Sequence, residues 1–84
     1  MPAVSEVIAV HAGILRSDAR VLTECAERLR EIEARLGGEG VAPGWLRETV
    51  KAHIDACVVA SGDLAEAATR LRAHADQARR RPPR

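Results

Sequence analysis

Gly37-Gly38-Glu39-Gly40-Val41-Ala42-Pro43-Gly44 is the stretch that decides how this chain folds. Four glycines and a proline within eight residues stop a helix and turn the backbone. Gly37 suits the left-handed position just past a helix end, and Pro43 suits the first turn of a following helix. The hairpin turn is therefore assigned to Gly37, Gly38, Gly40, Pro43 and Gly44.

Upstream of the turn, Val4, Ile8, Leu15, Leu22, Cys25, Leu29, Ile32 and Leu36 fall on alternating steps of four and three, and the same lattice passes through His11 and Asp18. A seven-residue apolar repeat held this long predicts one helix with a narrow seam. Residues 5–36 would span about 48 Å. Downstream, Leu46, Val50, His53, Cys57, Ser61, Leu64, Ala68, Leu71, Ala75 and Ala78 mark a second seam on a helix over 45–80. Gly62 followed by Asp63 and Glu66 offers a break, but the repeat runs through it and favours a continuous or gently kinked helix.

Two long helices joined by a short loop fold back antiparallel, so residues whose numbers add to about 82 should meet. The two seams share that register: Leu36 meets Leu46, Ile32 meets Val50, Leu29 meets His53 and Cys25 meets Cys57. The expected fold is all-α: one antiparallel two-helix hairpin over residues 1–80, followed by a disordered basic tail, 81–84. A second apolar stripe lies beside each seam: Val7, Ile14 and Val21 on the first helix, and Trp45, Ile54 and Val58 on the second. An exposed contiguous apolar patch usually has a partner. The hairpin is thus expected to dimerise into a four-helix bundle.

Composition narrows the function. The 84 residues hold one Trp and no Phe or Tyr. That excludes an aromatic base-stacking platform and argues against an all-β core. Thirteen basic and 12 acidic residues leave a net charge of +1, with no basic stripe for phosphates. The Arg-rich end, Arg79 to Arg84, is too short and too free of apolar residues to argue for nucleic acid or membrane. No run approaches the ~20 apolar residues of a bilayer span. Residues 1–15 lack the basic start and unbroken apolar core of a signal peptide. The expected location is cytoplasmic at synthesis, with any export using no cleavable signal.

No nucleophile, base and orienting group share a helical register. Only Thr49 and His53 are so spaced, and neither an enzyme, a small-molecule substrate nor a cofactor is expected. The glycine cluster is not a phosphate loop, since no strand precedes it and no Gly-Lys-Ser/Thr follows. Cys25 and Cys57 on one layer allow either a stapling disulfide or two reduced thiols packed as small hydrophobes. His53, Cys57 and Cys25 supply three soft ligands but no fourth, so no metal site is assigned.

Two long helices, a Gly-rich turn and a tryptophan at that turn resemble the small helical-hairpin substrates of type VII (ESX) secretion. Gly44-Trp45-Leu46 stands where that family has its Trp-x-Gly turn. The stretches 56–60 and 63–75 are similar to its EspC-like branch, and the Arg- and Ala-rich composition resembles a high-GC actinobacterial protein. The resemblance implies a non-enzymatic partner-binding protein that pairs with another helical hairpin: itself, a paralogue, or the helical domain of a larger effector. Residue 47 is Arg rather than Gly, and the chain has no tyrosine for a Tyr-x-x-x-Asp/Glu export signal. Export would then depend on a partner's signal. The alternative is a cytosolic adaptor, chaperone or antitoxin-like regulator that is not secreted.

Overall fold

The computed structural model describes residues 3–40 and 42–81. Two helices make up the fold: α1, Val4–Glu39, of 36 residues, and α2, Gly44–Arg80, of 37. They pack along their whole length as an antiparallel hairpin 68 Å long and 16 × 14 Å in section. Apart from Arg81, the expected basic tail lies outside the described residues.

The helix ends differ in detail from the sequence expectation. α1 continues through Gly37, Gly38 and Glu39, and the left-handed residue is Gly40, with φ of 65°. Only glycine adopts that conformation without steric cost, so the turn is set three residues later than Gly37. Pro43 sits just before α2, in extended backbone, and its carbonyl accepts from the Leu46 amide at 3.1 Å. Gly44 is already helical, and α2 runs unbroken through Gly62.

The larger correction concerns the seam of α1. Ile8, Leu15, Leu22, Leu29 and Leu36 do face α2, but the column beside them is Ser5, Ala12, Ala19, Ala26 and Glu33. Ala12, Ala19 and Ala26 are buried to 4%, 5% and 1% exposure. His11, Asp18, Cys25 and Ile32, one residue earlier in each heptad, are exposed. Two physical terms select the alanine column. It spares the desolvation of Asp18 and His11, which would be unpaired on an apolar seam. It also lets the helix axes approach closely, because a methyl group needs little room between them. Seating Val4, Cys25 and Ile32 there would force the axes apart.

α2 supplies the complementary surface. Ile54, Ala68 and Ala75 are buried, while Val50, Cys57, Leu64, Leu71 and Ala78 are half-buried. Ile54 takes the place expected for His53, which is exposed. With Ile54 in the lattice, positions 50, 54, 57, 61, 64, 68, 71, 75 and 78 step by four and three without a break, whereas His53 would leave two successive steps of four up to Ser61. Large side chains flank the alanines on both helices and lap over the edges of the contact.

Hydroxyls fix the register at mid-length. Ser61 Oγ donates to the Ala19 carbonyl at 2.9 Å, and Ser61 and Thr23 hydroxyls lie 2.7 Å apart. Arg16 Nη2 reaches across to Thr69 Oγ1 at 3.2 Å. These contacts lie within one turn of the register expected from the loop. Two substitutions separate the alanine seam from the alternative column. Ala68→Leu, at a fully buried position, should cost about 1–3 kcal/mol by overpacking and lower the melting temperature by several degrees. His11→Ala should change stability by less than about 0.5 kcal/mol. Thermal unfolding followed by circular dichroism checks both.

Candidate interaction surface

A two-helix hairpin has two broad faces, and heptad position sorts the remaining residues between them. One face takes the columns of Val4, His11, Asp18, Cys25 and Ile32 and of Val7, Ile14, Val21, Arg28 and Arg35 from α1. From α2 it takes the columns of Leu46, His53, Ala60, Ala67 and His74 and of Thr49, Ala56, Asp63, Arg70 and Gln77. Its fixed charges are Asp18, Arg28, Arg35, Asp63 and Arg70. The other face carries Glu6, Arg16, Arg20, Glu27 and Arg30 from α1 and Glu48, Lys51, Asp55, Arg72, Asp76 and Arg79 from α2. The hairpin is thus amphipathic as a whole, with an apolar and a charged side.

On the apolar side, Val7, Ile14 and Val21 are 42%, 50% and 57% exposed, and they repeat every seventh residue along the helix. Val4 and Ile32 extend the row at its two ends and are exposed too. The stripe expected on α1 is therefore present as an open surface. Beside it on α2, Ala56, Ala60 and Ala67 leave low ground. A shallow depression of about 480 Å³ opens along α2 among Asp63, Glu66, Ala67, Arg70 and Leu71.

The stripe expected on α2 is not one surface. Ile54 belongs to the buried seam at 6% exposure. Trp45 lies on the outer edge at the start of α2, and Val58 lies on the flank toward the charged face; both are exposed. The period of α2 separates these three because they sit in different heptad columns. Val10 and Val59, exposed on outer edges, fall outside the stripes expected from the seam argument. Their positions, two residues beyond a seam residue, carry the signal that they face outward.

Both cysteines are free thiols: Cys25 is exposed and Cys57 half-buried. His53 turns back on its own helix, its Nδ1 donating to the Thr49 carbonyl at 2.9 Å. The Thr49 hydroxyl donates to the Trp45 carbonyl at 2.8 Å, so it is not joined to His53. No group of three His, Cys, Asp or Glu stands close enough to hold a metal among the described residues. Nor is any described helix long and apolar enough to cross a membrane.

Surface ion pairs follow the helix rule. Glu66 and Arg70 meet at 2.7 Å at spacing four, and Asp76 pairs with Arg79 at 2.8 Å and with Arg72 at 3.6 Å. All are exposed and add little to stability. The charged face also holds the two mid-helix glycines, Gly13 and Gly62. A Cβ at Gly13 would meet nothing within 4 Å. Gly13→Ala should therefore stabilise the isolated hairpin by about 1 kcal/mol, through helix propensity alone. Chemical denaturation checks this.

Comparisons with known protein families, with curated proteins and with solved structures give no match.

Proposed function

We propose that this chain is a non-enzymatic interaction module whose partner is a second helical hairpin, laid on the Val7/Ile14/Val21 face to complete a four-helix bundle. The observation that carries this reading is an area. The hairpin exposes 6520 Å². A compact folded protein of 9.0 kDa is expected to expose about 4,900 Å². The excess, roughly 1,600–1,700 Å² on this chain alone, is about twice the ~800 Å² that each partner contributes to a standard stable interface. The radius of gyration points the same way: 19.0 Å, against about 12 Å for a compact chain of this length.

The core supports this from inside. Among the described residues its buried members are five alanines and Ile54, and no large side chain is fully buried. Such a core contributes little transfer free energy, while each half-exposed Val or Ile would gain up to ~1.5–3 kcal/mol on full burial. A partner hairpin supplies the missing apolar cover. Large side chains on the α1 flank and alanines on the α2 flank suit close packing of further helices.

Membership in the type VII secretion class, and hence export in an actinobacterial host, belongs to this proposal and rests on the resemblance at Gly44-Trp45-Leu46. Trp45 stands exposed at the turn, where a tryptophan contributes nothing to the seam and is free for recognition. Appearance of the protein in culture supernatant, lost when the secretion ATPase is deleted, is the expected result. Strict retention in the cell would overturn the export part and leave the cytosolic adaptor.

Light scattering after size exclusion tests the pairing. The purified chain should elute at about twice its monomer mass, or at the mass of a 1:1 complex when its partner is co-expressed. Ile14→Ser combined with Val21→Ser should yield a monomer that retains its helicity. A wild-type monomer at high concentration that also retrieves no helical partner from its host would contradict the proposal.

A further inference from the structure

We propose that the charged face carries a second docking site: a groove along the Arg16 edge that takes one helix of a partner chain bearing carboxylates one turn apart. Two shallow cavities, of about 270 and 290 Å³, adjoin there and share Arg16. The walls are Arg16 and Arg20 from α1 and Arg72 from α2, over a floor of alanines and Gly13. No carboxylate lines either cavity.

The charge balance names the partner's chemistry. Arg16 gives one N–H to the Thr69 hydroxyl, which lays the side chain across the groove and leaves the rest of its fork free. Arg20 has no ion-pair partner among the described residues, and Arg72 has only the 3.6 Å contact with Asp76. Arg16 and Arg20, two cations that share a groove without a carboxylate partner among the described residues, with the loosely paired Arg72 opposite, attract an anion from outside. Guanidinium groups suit carboxylates, which they can hold with two parallel bonds.

The hydroxyls argue against a small free anion. Thr23 and Ser61 each have one proton to give. Their contacts with each other and with the Ala19 carbonyl use both. They cannot also cradle an oxyanion, so the arginines alone do the holding. Arg16 and Arg20 stand one helical turn apart, about 6 Å along the axis, which matches acids at i and i+4 on a partner helix. From Ala9 to Thr23 the groove runs about 21 Å, the length of four turns. Gly13 lies on the floor of this stretch, and a side chain there would touch nothing of the hairpin. Its bareness leaves room for a backbone arriving from outside.

The test uses the full chain and a labelled helical peptide of about four turns, alanine on one face, with two glutamates one turn apart. A twin peptide carries glutamine in their place. Fluorescence anisotropy should show the glutamate peptide binding about tenfold or more tightly than its twin, with an advantage that shrinks at high salt. Arg20→Gln with Arg72→Gln should remove the preference. Gly13→Leu should abolish binding while leaving the melting temperature unchanged or higher. Ile14→Ser with Val21→Ser should bind normally, which keeps this groove distinct from the hairpin-pairing face. Equal binding of the two peptides, or undiminished binding by Gly13→Leu, overturns the proposal. So does a self-associated form that Gly13→Leu disperses, which would assign the groove to a second copy.

Discussion

Close approach of two helix axes over alanine is the constraint on which the rest depends. Ala12, Ala19 and Ala26 on α1 face Ala68, Ala75 and Ile54 on α2, and nothing bulky separates the two backbones. The approach is near enough for the Ser61 hydroxyl to bond the Ala19 carbonyl of the other helix. Such a contact is narrow. It buries methyl groups, leaves the leucines only half covered, and pushes every remaining valine and isoleucine of α1 outward. The exposed apolar face is therefore a consequence of how the hairpin closes.

The polar contacts refine that closure more than they drive it. A hydroxyl pair at mid-length and the Arg16–Thr69 contact each add about 1 kcal/mol or less. Their greater effect is on register, since sliding either helix by a turn would leave Ser61 and Thr23 facing alkyl groups. Gly40 does the same at the turn by taking up the left-handed conformation there. The two broad faces then differ in kind. One offers aliphatic side chains and few charges; the other carries charges of both signs, with arginines over small residues along one groove. A rod 68 Å long with two unlike sides is suited to sit between partners.

Much of the fold is legible in the residues, and the failures have definite causes. The turn, the two helices, their antiparallel register and the continuity of α2 through Gly62 follow from glycine chemistry and the heptad. The second column of α1 does not follow from hydrophobicity. Ile8, Leu15, Leu22, Leu29 and Leu36 belong to both candidate seams, so they cannot choose between them. The choice falls to the column three residues ahead of each, Ser5 to Glu33, over the column four ahead, Val4 to Ile32. Val4, Cys25 and Ile32 look more apolar than three alanines, yet two close axes have no room for them. The polar His11 and Asp18 carry the warning. On α2 the same cause places Ile54 on a surface stripe in the sequence reading and His53 on the seam, at the cost of a skipped residue. The apolar α1 flank is legible because Val7, Ile14 and Val21 repeat by seven. The charged groove is not, since its floor and walls come from both helices.

The most direct test of the alanine seam is a pair of cysteine cross-linking experiments under the same mild oxidation. In a chain whose native cysteines are replaced by alanine, Ala19→Cys with Ser61→Cys should close an intramolecular disulfide rapidly and at high dilution. The native Cys25 and Cys57 should remain reduced under those conditions. Rapid closure of the native pair, with the engineered pair left open, would contradict the account and put Cys25 back on the seam.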